Sequence, residues 1–334
     1  MATLQQIADE TGFSIATVSR VINHDQNFSV SNETRHAILS VAEKLNYSGS
    51  KGRLPQLLKK NDGKKKLTIG LVYWYTVEDE IIDPYYLSIR LAIKAYCDAH
   101  DIFLQLFYLP DSSTEQIQSA SLDGLIALGK YSRKEIEALH QLNAHFVLVD
   151  CYTKHPEVDV VMVDLKEATK DIIKYLNDKD IFDIGFIGGM EQTLDDLILV
   201  DVRLKTFLRY PLADEQAVYQ GAFSAEAGFT LMNDIIESGT LKPAYIVASD
   251  AMAIGCLKAL SAHQIPLPNK VSIISYNNIS MAAYTVPSLT TVDLNTHHLG
   301  QTAAQTLHER ITSNRRLGRK IFIPTQLIIR ESSV

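Results

Sequence analysis

Cysteine is scarce: the 334 residues hold three, Cys97, Cys151 and Cys256, far apart and without a Cys-x-x-Cys pair. An odd, scattered set excludes a disulfide framework and a cysteine zinc site, and fits a reducing compartment. Apolar runs are short as well. None approaches the ~18 residues of a membrane helix, and the opening MATLQQIADE is too polar for the apolar region of a signal peptide. The expected location is therefore the cytoplasm, with no membrane partner. With 16 Gly, 10 Pro and no low-complexity stretch, collagen, coiled-coil and mucin-like compositions are also excluded. Several catalytic signatures are missing: there is no P-loop, no HExxH and no Gly-x-Ser-x-Gly, and Gly185 to Gly189 is no GxGxxG. Neither a metal nor a cofactor is expected.

What is present is an ordinary globular composition, 46% hydrophobic and 21% charged, in a chain about twice the ~150 residues of one domain. The formal charge of −7 hides an asymmetry. Residues 1–66 hold ten Lys/Arg against six Asp/Glu, net +4, which leaves −11 on the other 268. A small basic head can supply the counterion-release term of DNA binding, whereas the acidic body would be repelled by phosphate and needs another role.

Three short helices are legible in the head. Thr3-Leu4-Gln5-Gln6 is a Thr-x-x-Gln capping box opening a first helix, with Leu4, Ile7 and Ala8 on one face and Gly12 as its stop. Ser14 then caps a second, in which Ile15, Val18, Val21 and Ile22 keep helical spacing. The pair is a helix-turn-helix. A third helix, capped by Ser31 and carrying Ile38, Val41, Ala42 and Leu45, closes a small core and ends near Asn46-Tyr47.

Ser48 to Lys66, with Gly49, Gly52, Pro55, Gly63 and many lysines, has the composition of a linker. Its Leu54, Leu57 and Leu58 are apolar residues that a solvated linker does not need, so part of it is expected to fold on contact with DNA. Beyond it, short Val/Ile/Leu runs alternate with helix-length segments: Leu67 to Tyr73, Phe103 to Tyr108, Gly124 to Leu128, Phe146 to Asp150, Val160 to Val163, Ile184 to Ile187, Ala244 to Val247 and Val271 to Ser275. Continuous apolar strands are those covered on both faces of a parallel sheet. Their number exceeds one comfortable sheet, so the expected fold is α/β, a helix-turn-helix head followed by two doubly wound lobes with a cleft between them. In such sheets ligands sit at the carboxyl ends of the strands.

The head string from Ile7-Ala8 through Gly12 to Ser14-Ile15-Ala16-Thr17-Val18-Ser19-Arg20-Val21-Ile22-Asn23 resembles the lactose/galactose repressor (LacI/GalR) family of bacterial transcription regulators. The resemblance continues through Ala42-Glu43-Lys44-Leu45-Asn46-Tyr47, Asp83-Pro84-Tyr85-Tyr86, Gly185-Phe186-Ile187-Gly188-Gly189, Ser249-Asp250-Ala251-Met252-Ala253-Ile254-Gly255 and Pro287-Ser288-Leu289-Thr290-Thr291-Val292. The second and third of these blocks are most similar to the branch of evolved β-galactosidase and galactose–lactose repressors, which implies a galactoside effector. It also implies a periplasmic-binding-protein-like body, a homodimer on a pseudo-palindromic double-stranded operator, and a small saccharide that releases it. The expected division is a head at 1–47, a hinge at 48–66 and a sugar-binding, dimerising core at 67–334. Within the core the first lobe takes about 67–163 and 291–325, and the second about 164–290 with the C-terminal strand.

An α-helix fits the major groove with residues near its amino end against base edges. By the resemblance Ile15 and Ala16 hold the base-reading positions, where they offer apolar contact such as a thymine methyl accepts. Arg20 is the specificity candidate, because a guanidinium can grip guanine O6 and N7. Thr17, Ser19 and Asn23 are assigned to phosphate-side contacts, and Thr3, Ser14 and Tyr47 are also counted among the DNA-binding residues. Leu57, with Leu54 second, matches the leucine that wedges into the minor groove in family hinge helices, although Gly52 and Pro55 depart from that pattern.

A saccharide needs carboxylates and amides for paired hydroxyls, an arginine fork, and aromatic faces against its C–H surface. Asp83, Asp150 and Asp250 stand at predicted carboxyl strand ends, with Ser249 beside the last; each aspartate also reads as a helix cap. Arg203 matches the family's effector-gripping arginine, with Thr206 where relatives carry glycine. Tyr85, Phe223 and Tyr276 fall at cleft-aromatic positions, and Asn277 replaces an aspartate common in the family, which favours a neutral ligand over a cation. Trp74, at the exit of the first strand, can stack on a sugar ring. Two other readings stay open on residues alone: a glycosidase, whose chemistry asks only for two carboxyl groups ~5 to 9.5 Å apart, and a DNA-free sugar sensor or carrier.

Overall fold

The computed structural model describes residues 3–22, 30, 34, 38, 41, 66–109, 114–193, 195 and 197–334. The chain divides into two compact units, 1–64 and 65–334, with the break inside the lysine-rich stretch read as a linker.

In the first unit, helix α1 (Leu4–Thr11) opens on the expected capping box: Gln6 N donates to Thr3 Oγ1 at 3.3 Å, and Thr3 N to Gln6 Oε1 at 2.8 Å. It ends at Gly12, whose φ of +73° is the left-handed conformation that costs glycine least. Helix α2 (Ile15–Ile22) starts from Ser14, whose Oγ accepts from Thr17 N at 3.2 Å. Ile7, Ala8, Val18, Val21 and Ile38 are buried together, with Leu4, Phe13, Val30 and Val41 against them. Thr34, Ile38 and Val41 are helical, as the third-helix pattern requires, while Ser31, Ala42 and Leu45 lie outside the described residues.

The second unit holds two six-stranded sheets. The first has the order β13-β5-β4-β3-β1-β2, all parallel, from β1 (Thr68–Tyr73), β2 (Phe103–Tyr108), β3 (Gly124–Leu128), β4 (Phe146–Val149), β5 (Asp159–Val163) and β13 (Lys320–Ile323). The second runs β14-β12-β11-β10-β6-β9, from β6 (Ile184–Gly189), β9 (Val218–Gly221), β10 (Ala244–Val247), β11 (Ser272–Tyr276), β12 (Thr290–Asp293) and β14 (Gln326–Ile328), with only β14 antiparallel. Strands β3 and β4 are buried at every position, which is the physical content of their unbroken apolar runs. A small antiparallel hairpin, β7 (Glu191–Gln192) and β8 (Ile198–Leu199), stands apart from both sheets.

The helices that position the site are α3 (Val77–Ile82) and α4 (Tyr85–Ala99) after β1, α5 (Thr114–Ser119), α6 (Arg133–Leu142), α7 (Leu165–Asn177), α8 (Val202–Phe207), α9 (Ala225–Glu237) and α10 (Asp250–Ala262). Helix α11 (Thr296–Ser313) packs on α4 in the first lobe. The chain therefore passes between lobes three times: after β5, after β12 and after β13.

One expectation is corrected here. The boundary at 291 places β12 in the first lobe, but β12 pairs with β11 in the second sheet, Ile274 opposite Thr290. Thr291 is the anchor: its hydroxyl donates to the buried Asp250 carboxylate at 2.6 Å, a bond available only in that sheet.

Candidate effector cleft and DNA-facing helix

The cleft is built from residues just beyond the carboxyl ends of the strands, the place where doubly wound sheets bind ligands. Trp74 and Tyr75 leave β1, Lys130 comes after β3, and Asp150 leaves β4. From the other lobe come Glu191 after β6, Phe223 after β9, Ser249 after β10 and Asn277 after β11. Together with Asp83, Tyr85, Tyr86 and Arg203 most of these line a small cavity of about 30 Å³. A second chamber of about 420 Å³ adjoins it and shares Tyr75, Asp83, Glu191 and Phe223.

Asp83 ends α3 and precedes α4; Tyr85 N donates to its carboxylate at 3.2 Å. Burial lifts its carboxyl to about 6, against the opposing pull of that hydrogen bond and of Arg203. Asp150, with φ +60°, receives the Tyr86 hydroxyl at 2.7 Å and the Lys130 ammonium at 2.9 Å, while the same ammonium reaches its main-chain oxygen at 2.7 Å. Burial opposes the charge on Lys130, yet the Asp150 and Glu191 carboxylates together outweigh it and hold the ammonium above its ordinary range. Burial also raises the Glu191 carboxyl, with Lys130 and Arg203 pulling the other way.

Arg203 is 7% exposed and clamped. Its Nε donates to Asp201 at 2.9 and 3.0 Å, its Nη2 lies 2.7 Å from the same carboxylate, and Nη1 donates to the Ala248 carbonyl. Its guanidinium sits 5.4 Å from the ring centroids of both Phe223 and Tyr276. Burial disfavours this charge, but Asp201 keeps the group above its ordinary value. Both cations of the cavity are thus engaged by carboxylates. Tyr85 Oη, buried beside Asp150, has no partner of proper hydrogen-bond geometry among the described residues.

Two comparisons bear on the whole chain. The profile of bacterial regulatory proteins of the lacI family matches residues 3–50, and that of the periplasmic binding protein-like domain matches 173–333. The HTH-type transcriptional regulator GanR of Bacillus subtilis (strain 168) is 36% identical over 340 residues, covering 99% of each chain. The chain belongs to the lacI family of bacterial regulatory proteins. The sequence resemblance is thereby borne out, and with it the assignment as a DNA-binding transcriptional regulator. Solved structures share the fold: the lac repressor dimer bound to operator and the anti-inducer ONPF (22% identity, 100% and 99% coverage, TM-score 0.71) and the transcriptional regulator CelR–cellobiose complex (22%, 99% and 100%, 0.68).

In this family member the structure brings Asp83, Tyr85, Asp150, Arg203, Phe223, Ser249 and Asn277 onto one cavity, while Trp74 faces the outer chamber. Two expected residues are corrected. Asp250 is fully buried away from the cavity: Ser275, Thr291 (2.6 Å) and Ile279 N (2.8 Å) all donate to its carboxylate, and the cap of α10 is Ser249 instead. Tyr276 is also fully buried, its hydroxyl 2.9 Å from Thr169 and its ring against Arg203, so it supports the arginine without lining the cavity. Lys130, Glu191, Tyr75 and Tyr86 join the cavity without having stood out in the sequence. Lys130 had a usable signal, a charged residue shortly after a buried strand, the same signal that pointed to Asp150.

On α2, Ile15 (44% exposed), Ala16 and Arg20 face outward, Thr17 and Ser19 are partly exposed, and Val18 and Val21 point into the core. Thr3 and Ser14 cap α1 and α2. Asn23, Tyr47, Leu54 and Leu57 lie outside the described residues. No helix among the described residues is long and apolar enough to cross a membrane.

Proposed function

We propose that the chain is a cytoplasmic, homodimeric repressor whose hold on a pseudo-palindromic operator is released when a neutral saccharide fills the cleft. The supporting observation is the cavity's inventory: carboxylates at Asp83 and Asp150, a clamped arginine at Arg203, and the unpartnered hydroxyl of Tyr85, all lining one cavity between the two lobes. Paired acceptors and donors of this kind match vicinal hydroxyls. The solved CelR relative of this fold is a cellobiose complex, which favours the same ligand class.

Arg20, Ile15 and Ala16 meet base edges; Thr17, Ser19 and Asn23 contact phosphates; Thr3, Ser14 and Tyr47 complete the DNA-binding surface; Leu54 and Leu57 serve the hinge. Saccharide binding changes the closure of the two lobes, and the operator-bound population falls in proportion to the sugar's differential affinity for the two states. Catalysis is not part of this proposal, and the curated relatives are regulators. A thermal-shift screen of neutral mono- and disaccharides tests the ligand class, because a ligand of the native state raises the melting temperature. A galactoside that stabilises the chain supports the reading; stabilisation by none of the saccharides defeats it. A DNA-free sugar carrier is the competing reading, and it predicts the same shifts with no preference for any palindromic duplex.

A further inference from the structure

Away from the cleft, a groove of about 420 Å³ lies on the second lobe between α7 and the segment that ends α8. It shares no lining residue with either chamber of the cleft. Its lining is strongly basic. Lys166, Lys170 and Lys174 recur at four-residue spacing, which places them along one face of α7 about 6 Å apart down the axis. Arg209, just beyond α8, supplies a fourth cation, and Asp178 is the single carboxylate among the lining residues.

Lys166 and Arg209 form no salt bridge among the described residues, while Lys170 and Lys174 pair with Glu167 at 2.6 Å and with Asp178 at 2.8 Å. Both of those pairs are exposed on each side, so solvent screens them and a ligand carrying two negative charges can replace them. The surrounding body has a net charge of −11 over residues 67–334, and four cations on one groove reverse that sign locally. Such a patch attracts a compact anion. A long polyanion such as DNA would bring its flanking phosphates against the acidic surroundings.

The rest of the lining is largely apolar: Ile173 and Thr206 are buried, and the Tyr210 ring packs on the same core as Ile173. The Tyr210 hydroxyl donates to Asn177 Oδ1 at 2.9 Å, which fixes the ring and leaves the amide its Nδ2 donors for another acceptor. A lysine face that merely meets water has no such floor. From these observations we infer that the groove is a second ligand site, for a nucleoside phosphate. The phosphates lie among Lys166, Lys170, Lys174 and Arg209, and the base lies against Tyr210 and Ile173. A bare phosphate satisfies the cations alone, and a sugar phosphate brings no aromatic face to Tyr210. The volume is that of an ordinary small-molecule site.

The test is a calorimetric titration of the full chain, without added metal, with AMP, ADP, ATP and GTP, and with inorganic phosphate and glucose 6-phosphate for comparison. The expected result is that at least one nucleotide binds about tenfold or more tightly than either comparison anion and loses affinity as salt is raised. Lys166→Ala and Arg209→Ala, both at exposed positions, should each weaken that nucleotide by about fivefold to tenfold. Lys134→Ala, which removes an exposed lysine of the first lobe, should leave its affinity within about twofold. Glucose 6-phosphate or inorganic phosphate binding as tightly as every nucleotide overturns the nucleoside assignment. Nucleotide affinity unmoved by both groove variants places the anion elsewhere, such as on the basic head, and overturns the site, as does binding by none of the nucleotides. Each of these outcomes leaves the saccharide reading of the cleft intact.

Discussion

Arg203 and Asp201 form a two-point ion pair inside the cleft wall, with Nε at 2.9 and 3.0 Å and Nη2 at 2.7 Å from the carboxylate. Because Asp201 also accepts from Arg203 N at 2.8 Å at the start of α8, the arginine's reach is fixed by the backbone of its own helix. The guanidinium is therefore presented to the cavity in one orientation, and a ligand meets it without having to order it.

Arg203→Ala should remove the saccharide response, since it deletes the fork and leaves the Asp201 carboxylate buried and unpaired. The expected stability loss is about 3 kcal/mol. Denaturant unfolding and a saccharide titration of the variant check both parts, with operator affinity expected to stay near that of the parent below its melting temperature.

Asp83 carries a pH dependence whose sign is set by its burial. Its carboxyl sits near 6 in the folded chain against 3.8 ordinarily. The group therefore supports folding fully only below about pH 4, and that contribution is lost as pH rises through about 6. Asp83→Asn keeps the acceptor for Tyr85 N and removes the charge. It should stabilise the chain by on the order of 2 kcal/mol at pH 8 and by clearly less at pH 4.5. Melting temperatures of both proteins across that range are the measurement.

Arg20→Ala should weaken binding to a specific operator by about ten- to a hundredfold, the ~1 to 3 kcal/mol of a bidentate guanine contact. Binding to random DNA should fall much less, and saccharide affinity should not change. Competition titrations with specific and nonspecific duplexes separate the two.

Asp159 is fully buried between Arg310, at 3.0 Å, and Arg315, at 2.9 and 3.0 Å, and ties the end of α11 to β5. Asp159→Ala leaves Arg310, itself 2% exposed, without its carboxylate. The expected cost is about 3 to 5 kcal/mol, read as a lowered denaturation midpoint with unchanged slope.

The lobes are legible because their strands are covered on both faces, so Leu67 to Tyr73 or Phe146 to Val149 carries a burial signal in composition alone. Strand β12 is harder: Thr290-Thr291-Val292-Asp293 has two hydroxyls inside, and its place in the second sheet depends on Thr291 meeting Asp250 from 41 residues away. The same contact explains why Asp250 misleads. Its position after a strand points to the cleft, but three donors turn its carboxylate into the second lobe. Glu191 escapes notice because its hairpin strands are two residues each, too short for any alternation to register. Tyr86 is masked by its neighbour: Tyr85 and Tyr86 are adjacent on α4, and only the fold shows that the Tyr86 hydroxyl reaches Asp150 at 2.7 Å.

The most direct measurement is fluorescence anisotropy of a labelled palindromic operator duplex titrated with the full chain, with and without a saccharide that stabilises it thermally. The account predicts tight, sequence-selective binding that weakens when the saccharide is added, with the saccharide in turn binding less tightly to the operator complex. Equal binding to palindromic and random duplexes, or operator affinity indifferent to the bound saccharide, would contradict it.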